Sequence, residues 1–348
     1  MLGNKCNFRC KYCLQEGEFR KHSKEISSTP SEKLLSYIDK LISMKAYSTE
    51  KIEVIFWGGE PLLYIETIKK VVNYFKDKLN YAIISNGSLL NEEIVSFLNK
   101  YNFSFIVSND GSNTKDTRIK NVLEDNVFCT LFKKIKKRSV TSVISAYNQD
   151  LQSLQNYIYS KVGKTDINFD LLIPSEALPK EAFSFNYKKF TESVVEMANE
   201  AAEDFILKKE TPAVKFFRPF LNKISLADKN SSSSTSCGEL SSSLSIDLNG
   251  NIYICHDSIR TVGDTNSSSI DIEMNHLNFL RRNNYKELKK CSSCFIEKYC
   301  QGDCKLITSK HRGIEACCEL RRITYSAAFY LVEKLNNFFE KVNLSEEI

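Results

Sequence analysis

Cys6-Asn7-Phe8-Arg9-Cys10-Lys11-Tyr12-Cys13 puts three thiols on one short segment at the head of the chain. Thiolates this close on a single loop can hold three corners of a cubane iron–sulfur cluster, whereas a structural zinc or a fully ligated cluster wants a fourth ligand. The nearest further donor is His22, too distant along the chain to complete the set and better read as a surface residue. A cluster held at three corners keeps one iron open to a small molecule.

The rest of the composition makes the thiols more informative. Residues Met1 to Lys5 offer no apolar h-region and no cleavage site, so the chain is expected in the cytoplasm with its thiols reduced. The 12 cysteines of the 348-residue chain are then ligands or catalysts before they are disulfides. A content of 42% hydrophobic and 26% charged residues excludes wholesale disorder. The net charge of +5, from 48 basic and 43 acidic residues, is too small for a nucleic-acid partner. No apolar run nears the roughly 18 residues of a membrane span.

Downstream of the thiol loop, short β-rich runs alternate with amphipathic helical stretches. Ile52–Trp57 reads as a buried strand, Tyr64–Lys78 as helix, Tyr81–Ser85 as strand and Asn91–Lys100 as helix. Phe103–Ser108 is strand, Asn126–Lys137 helix, Val140–Ala146 strand, Leu151–Val162 helix and Ile167–Ile173 a final strand. A first helix is expected over Ser31–Met44, capped by Thr29 or Ser31 with Pro30 near its start. Such alternation means a parallel sheet with right-handed crossovers, and sites in such sheets lie at the carboxyl ends of the strands. Phe183–Lys209 reads as a helical bridge and Ile323–Val342 as an amphipathic packing helix. Cys129 sits on an apolar helix face and reads as a small core residue.

A second cysteine group follows: Cys237-x12-Gly250-x4-Cys255, then Cys291-x2-Cys294-x5-Cys300-x3-Cys304, then Cys317-Cys318. Serine runs at 230–236 and 241–243 bracket Cys237, as linker or as a cluster-wrapping loop. Asn249-Gly250 predicts a hairpin turn between Leu244–Leu248 and Asn251–Cys255. Tight CxxC pairs with further cysteines also fit zinc.

The Cys6-x3-Cys10-x2-Cys13 loop, with Tyr12 before its last cysteine, resembles the radical SAM superfamily. Trp57-Gly58-Gly59-Glu60-Pro61 falls where that family has its GGEP motif, and Ser85-Asn86-Gly87 and Ser108-Asn109-Asp110-Gly111 end the next two strands. The C-terminal field, with seven cysteines and a glycine in register, resembles the SPASM domain, which carries two auxiliary iron–sulfur clusters. The resemblance implies a partial (β/α)6 TIM-like barrel at 1–175, a helical bridge at 176–229, a cysteine-rich SPASM domain at 230–322 and a C-terminal helix at 323–348. It implies one SAM-binding [4Fe–4S] cluster on Cys6, Cys10 and Cys13, with Tyr12 against the adenine. Gly58, Gly59 and Glu60 would meet the methionine amine of S-adenosylmethionine, and Ser85, Asn86, Ser108 and Asp110 the ribose. Arg118 resembles an arginine that contacts the SAM carboxylate in some relatives, and reads equally as a solvated charge at a helix start.

The same resemblance assigns a first auxiliary cluster to Cys237, Cys255 and Cys304, and a second to Cys291, Cys294, Cys300 and either Cys317 or Cys318. Some relatives supply a further cysteine where this chain has Ser231, so the first auxiliary cluster is expected to have an open iron for substrate. Asp257 stands one residue further from Cys255 than the general base of sulfatase-maturing relatives, which turns its side chain to the other face of a strand. The five residues before Cys6 offer only a stub of the family's first strand. The function implied is a peptide maturase: reductive cleavage of SAM to a 5′-deoxyadenosyl radical that crosslinks, epimerises or oxidises a ribosomally made precursor peptide, with electrons from a flavodoxin or ferredoxin. The alternatives are a sulfatase-maturing enzyme that oxidises Cys or Ser to formylglycine, and a zinc-binding interaction module without chemistry.

Overall fold

Five short strands stand side by side in chain order, all parallel: β1 (Glu53–Phe56), β2 (Asn80–Ser85), β3 (Ser104–Ser108), β4 (Lys137–Ile144) and β5 (Asp166–Leu171). The computed structural model describes residues 1–11, 13, 29–44, 51–176, 178–228, 243–256, 258, 260–282, 285–302 and 304–346. Parallel neighbours need a crossover, and α2 (Ile65–Phe75), α3 (Glu92–Lys100), α4 (Asn126–Lys133) and α5 (Leu151–Val162) supply them. Alternation along the strands separates two faces. Phe105, Val107, Val140, Ile144 and Ile167 are buried under the helices, while Ile55, Ser104, Thr141, Asn168 and Asp170 are not buried. The register keeps the second set on one face, with Ser108 opposite Thr141 and Thr141 opposite Asn168. One wrapped face and one open, largely polar face make the α/β half-barrel.

The first strand expected of a six-stranded barrel is short of that. Residues 2–5 run past the carboxyl end of β1, through bonds from Leu2 N to Trp57 O (2.8 Å), Gly59 N to Gly3 O (2.8 Å) and Glu60 N to Lys5 O (2.9 Å). These bonds start beyond Phe56, so no ladder forms with β1 itself. β1 also differs from a fully buried strand: Phe56 is buried, but Ile55 is 49% exposed on the open face. α4 stops at Lys133, since Lys137 already opens β4.

α1 (Glu32–Met44) is capped by Ser31, whose Oγ accepts from Leu34 N at 3.2 Å. The expected bridge is two helices, α6 (Tyr187–Ile206) and α7 (Pro212–Asp228). Beyond it, β6 (Ser245–Ile246), β7 (Asn251–Tyr253) and β8 (Thr261–Asp264) form an antiparallel ribbon, followed by α8 (Ser269–Arg282). The predicted turn sits between β6 and β7, with Gly250 at φ +91. Asp247, 1% exposed, ties that turn by accepting from Asn249 N, Asn251 N, Asn251 Nδ2 and the Tyr253 hydroxyl, each at 2.9 Å. A last helix, α9, runs without a break from Ile314 to Glu346 and packs on α6, so the division expected at 322/323 falls inside one element. Among the described residues no helix is long and apolar enough to cross a membrane.

Candidate active site and cluster-binding residues

The thiol loop is moored to the carboxyl ends of two strands. Its start is bonded to Trp57, Gly59 and Glu60 after β1, and Lys11 N reaches Thr117 O (2.8 Å) beyond β3. The two glycines exist to let it so close: a Cβ on Gly58 would lie 2.7 Å from Gly3 O, and one on Gly59 2.3 Å from Lys5 O. Between the moorings Cys13 N bonds Cys10 O (3.2 Å), and the half-buried Cys6 and Cys13 thiols both raise the pKa of Cys10 through space.

Glu60 is the hub beneath the loop, 1% exposed. Its Oε1 accepts from Leu62 N (2.9 Å) and Ser85 Oγ (2.7 Å), and Oε2 accepts from Asn86 N (2.8 Å). Burial pushes its carboxyl pKa up, against the pull of those hydrogen bonds and of the Arg118 guanidinium. Asn86 carries the network back to the loop: its Nδ2 donates to Asn7 Oδ1 (2.9 Å), and Asn7 Nδ2 donates to Ser88 Oγ (2.8 Å).

The third strand end contributes a buried ion pair. Asp110 Oδ2 accepts from Arg118 Nε (3.1 Å) and from Thr117 Oγ1 (2.7 Å), while Oδ1 accepts from Val143 N (3.2 Å). Arg118 is 9% exposed, so the reading of it as a solvated charge is corrected: the single helical turn Thr114–Thr117 folds it back over Asp110. Burial pushes the Cys10 thiol up to about 11, and the Arg118 guanidinium opposes that shift. A fixed cation beside three thiols is the setting in which a cluster's thiolate charge is tolerated. The donor set and its counter-charge fit an iron–sulfur cluster on Cys6, Cys10 and Cys13.

A second cysteine-lined space lies in the C-terminal part. Cys291, Cys294, Cys300 and Cys318 line a cavity of about 390 Å³, with Lys289 and Arg321 also in its wall. Cys317, next along α9, instead points into the hydrophobic core and is 2% exposed. Neighbours on a helix diverge by about 100°, so only one of the pair can face the cavity, and it is Cys318. Burial raises the Cys291 and Cys318 thiols, and the Lys289 ammonium pulls both down. Four thiols around a space of this size are the donors a cubane cluster takes, whereas among the described residues no three His, Cys, Asp or Glu side chains are placed to hold a single metal ion such as zinc. A further cavity, about 470 Å³, lies along β5 and shares Cys300 and Arg321 with the first. Asp170, solvent-accessible but recessed in its wall, accepts from Thr141 Oγ1 at 2.7 Å, and loss of hydration among the surrounding protein raises its carboxyl pKa.

Of the other residues expected at the site, Ser108 ends β3 half-buried beside Asp110. Cys255 lies on the ribbon with its Sγ 3.9 Å from His256 Nδ1, and the His256 ring meets Trp57 edge-on at 4.7 Å. Cys304 is half-buried. Tyr12, Cys237 and Asp257, with Ser231 and His22, lie outside the described residues. Sequence reasoning passed over Asn7, Thr117 and Lys289. Asn7, inside the thiol motif, was visible there as a polar residue on a loop that must be anchored; nothing local marks the other two.

Comparison with known proteins agrees with this geometry. Residues 1–141 match the Radical SAM superfamily. The chain is 26% identical to the radical SAM cyclopropyl synthase TigE of Paramaledivibacter caminithermalis, over 97% of this chain and 74% of that protein. Its fold is similar to that of anSMEcpe with bound AdoMet, at TM-score 0.70 and 20% identity over 97% of each chain. It is also similar to Streptococcus suis SuiB bound to its precursor peptide SuiA, at TM-score 0.52 and 14% identity over 91% of this chain and 74% of that one. The first 141 residues are thus a radical SAM domain.

Proposed function

We propose that the chain is a radical SAM peptide maturase with auxiliary iron–sulfur clusters. The carrying observation is the pairing of a three-thiol loop, backed by the buried Arg118–Asp110 pair, with a separate cavity lined by Cys291, Cys294, Cys300 and Cys318. When bound, a [4Fe–4S] cluster and SAM supply an electron and a cleavable sulfonium, and so a 5′-deoxyadenosyl radical that abstracts hydrogen from substrate. The residues of the chain hold and orient. Cys6, Cys10 and Cys13 would ligate three irons, and Arg118, fixed by Asp110, places a positive charge where a carboxylate can meet it. Of the Glu60 carboxylate, Oε1 already accepts two protein bonds and Oε2 one, so Oε2 alone keeps capacity for a further donor. The methionine amine of bound SAM would therefore be met by a carboxylate oxygen already held rigid.

Peptide substrate is supported by the relatives. TigE is a cyclopropyl synthase, SuiB was solved with a precursor peptide, and anSMEcpe was solved with the Cp18Cys peptide. The cavity along β5 shares Cys300 and Arg321 with the four-cysteine space, so a peptide lying in it would be beside that space. A ferredoxin or flavodoxin is the reductant this chemistry calls for. The sulfatase-maturing alternative depends on Asp257 as a base, and zinc in place of clusters would leave a binding module. The test is anaerobic incubation of reconstituted protein with SAM and dithionite. The reading predicts 5′-deoxyadenosine from the wild type and none from Cys10→Ala. Failure of the wild type to release it would sink the proposal.

A further inference from the structure

Lys289 occupies an unusual place in the four-cysteine cavity. Its side chain is in the cavity wall with Cys291, Cys294, Cys300 and Cys318. Its ammonium donates to the carbonyls of Gly302 and, at 2.9 Å, Cys304. Those carbonyls belong to the turn that leaves Cys300, so the contact pins the strand of chain before Cys291 to the one after Cys300. Gly302 is held there by its φ of +82 and by Tyr285, whose ring would be 2.4 Å from an added Cβ.

Among the described residues no carboxylate pairs with this ammonium: of the acids in the same wall, Glu297 pairs with Lys286 at 3.0 Å, and Glu315 makes no ion pair with Lys289. Arg322, in the same wall, is paired with Glu319 at 2.8 Å, but among the described residues Lys289 has only those neutral carbonyls as hydrogen-bond partners. Carbonyl dipoles orient an ammonium without neutralising it. Adding one electron to a [4Fe–4S] cluster makes it more negative by one unit, and a fixed cation in the wall favours that reduced form. Net charge, hydrogen bonding and solvent access are the terms that set such potentials.

We propose that Lys289 is a positioning residue that raises the reduction potential of the cluster held by Cys291, Cys294, Cys300 and Cys318, and that it ties this site to the Cys304 segment. The step is a one-electron reduction, oxidised cluster plus an electron from an external low-potential donor giving the reduced cluster, with no bond made or broken. The inference rests on the reading of that cavity as a cluster site.

The test uses the full chain with Cys6, Cys10 and Cys13 all changed to Ala, so that only auxiliary clusters remain. Iron and sulfide are counted, and midpoint potentials are followed by electron paramagnetic resonance during titration with dithionite. Lys289→Gln keeps a donor for the two carbonyls and removes the charge; Lys289→Arg keeps both. The glutamine variant is expected to retain its iron yet shift to a more negative potential. Its reduced-to-oxidised ratio at a fixed potential should fall about tenfold, the equivalent of about 59 mV for one electron. The arginine variant should restore the wild-type value. An unchanged potential in the glutamine variant at full iron would overturn the inference. So would iron loss in the glutamine variant, since Lys289 would then be structural only. Absence of iron from the parent protein is a different outcome: it would refute the cluster reading itself.

Discussion

Arg118 and Glu60 carry most of the chemistry that can be assigned residue by residue. Arg118 is buried against Asp110 and close enough to Cys10 to oppose part of the rise that burial imposes on its thiol pKa. Removing the guanidinium in Arg118→Ala should cut SAM cleavage by at least about tenfold, roughly 1.4 kcal/mol. Asp110→Asn should cost a similar factor, because the arginine loses its anchor. Both are read as the rate of 5′-deoxyadenosine release at matched iron content, and unchanged rates would remove the pair from the site. Glu60 makes a different prediction, about stability. In Glu60→Gln an amide N–H₂ would confront Asn86 N or Leu62 N, leaving a buried donor unmet at a cost of about 1–3 kcal/mol. Because burial raises the folded-state pKa of Glu60, its stabilising share is complete below the ordinary glutamate range and is lost as pH rises through the folded value. Urea titrations of the two cluster-free proteins should therefore show their gap narrowing as pH rises from acid to neutral. A gap that widens would contradict the assignment.

At the scale of elements, the alternating strands and helices were readable because β3, β4 and β5 each show one apolar and one open face, β2 is an apolar run buried on both, and each crossover helix has an apolar stripe. What was not readable depends on packing. α7 carries Pro219 in its interior, and a proline reads locally as a helix breaker. Arg118 reads as exposed until the turn at 114–117 brings it back to Asp110. Cys317 and Cys318 are chemically identical, and only the rotational phase of α9 separates core from cavity. That phase predicts that Cys318→Ser loses about four irons while Cys317→Ser keeps them; the reverse result would refute the assignment. The β6–β7 turn is a second test. Asp247→Ala removes the acceptor for four donors, and hydrogen bonds to a charged group are worth about 1.5–3 kcal/mol each in favourable cases. A fall in unfolding free energy of about 2 kcal/mol or more is expected by denaturant titration, and a change under about 0.5 kcal/mol would show the turn forms without it.

On the scale of the whole molecule, the sheet brings the ends of β1, β2 and β3 around one thiol loop, and the C-terminal part sets a second group of thiols beyond the open edge at β5. The two halves meet through Trp57 against His256 and through Ser31 N bonded to Leu248 O at 2.9 Å. The two cysteine groups were legible as separate modules from spacing alone, since spacing reports which thiols share a loop. Their relation in space, and the cavity that joins β5 to Cys300, needed the fold. The central claim is that both groups hold iron–sulfur clusters. The most direct measurement is the iron, sulfide and zinc content of anaerobically purified protein, before and after Cys6, Cys10 and Cys13 are all changed to Ala. About twelve irons per chain, falling by about four in the triple variant, is the predicted result. Zinc at about two per chain with little iron or sulfide would contradict it and leave a cysteine-rich binding protein on an α/β scaffold.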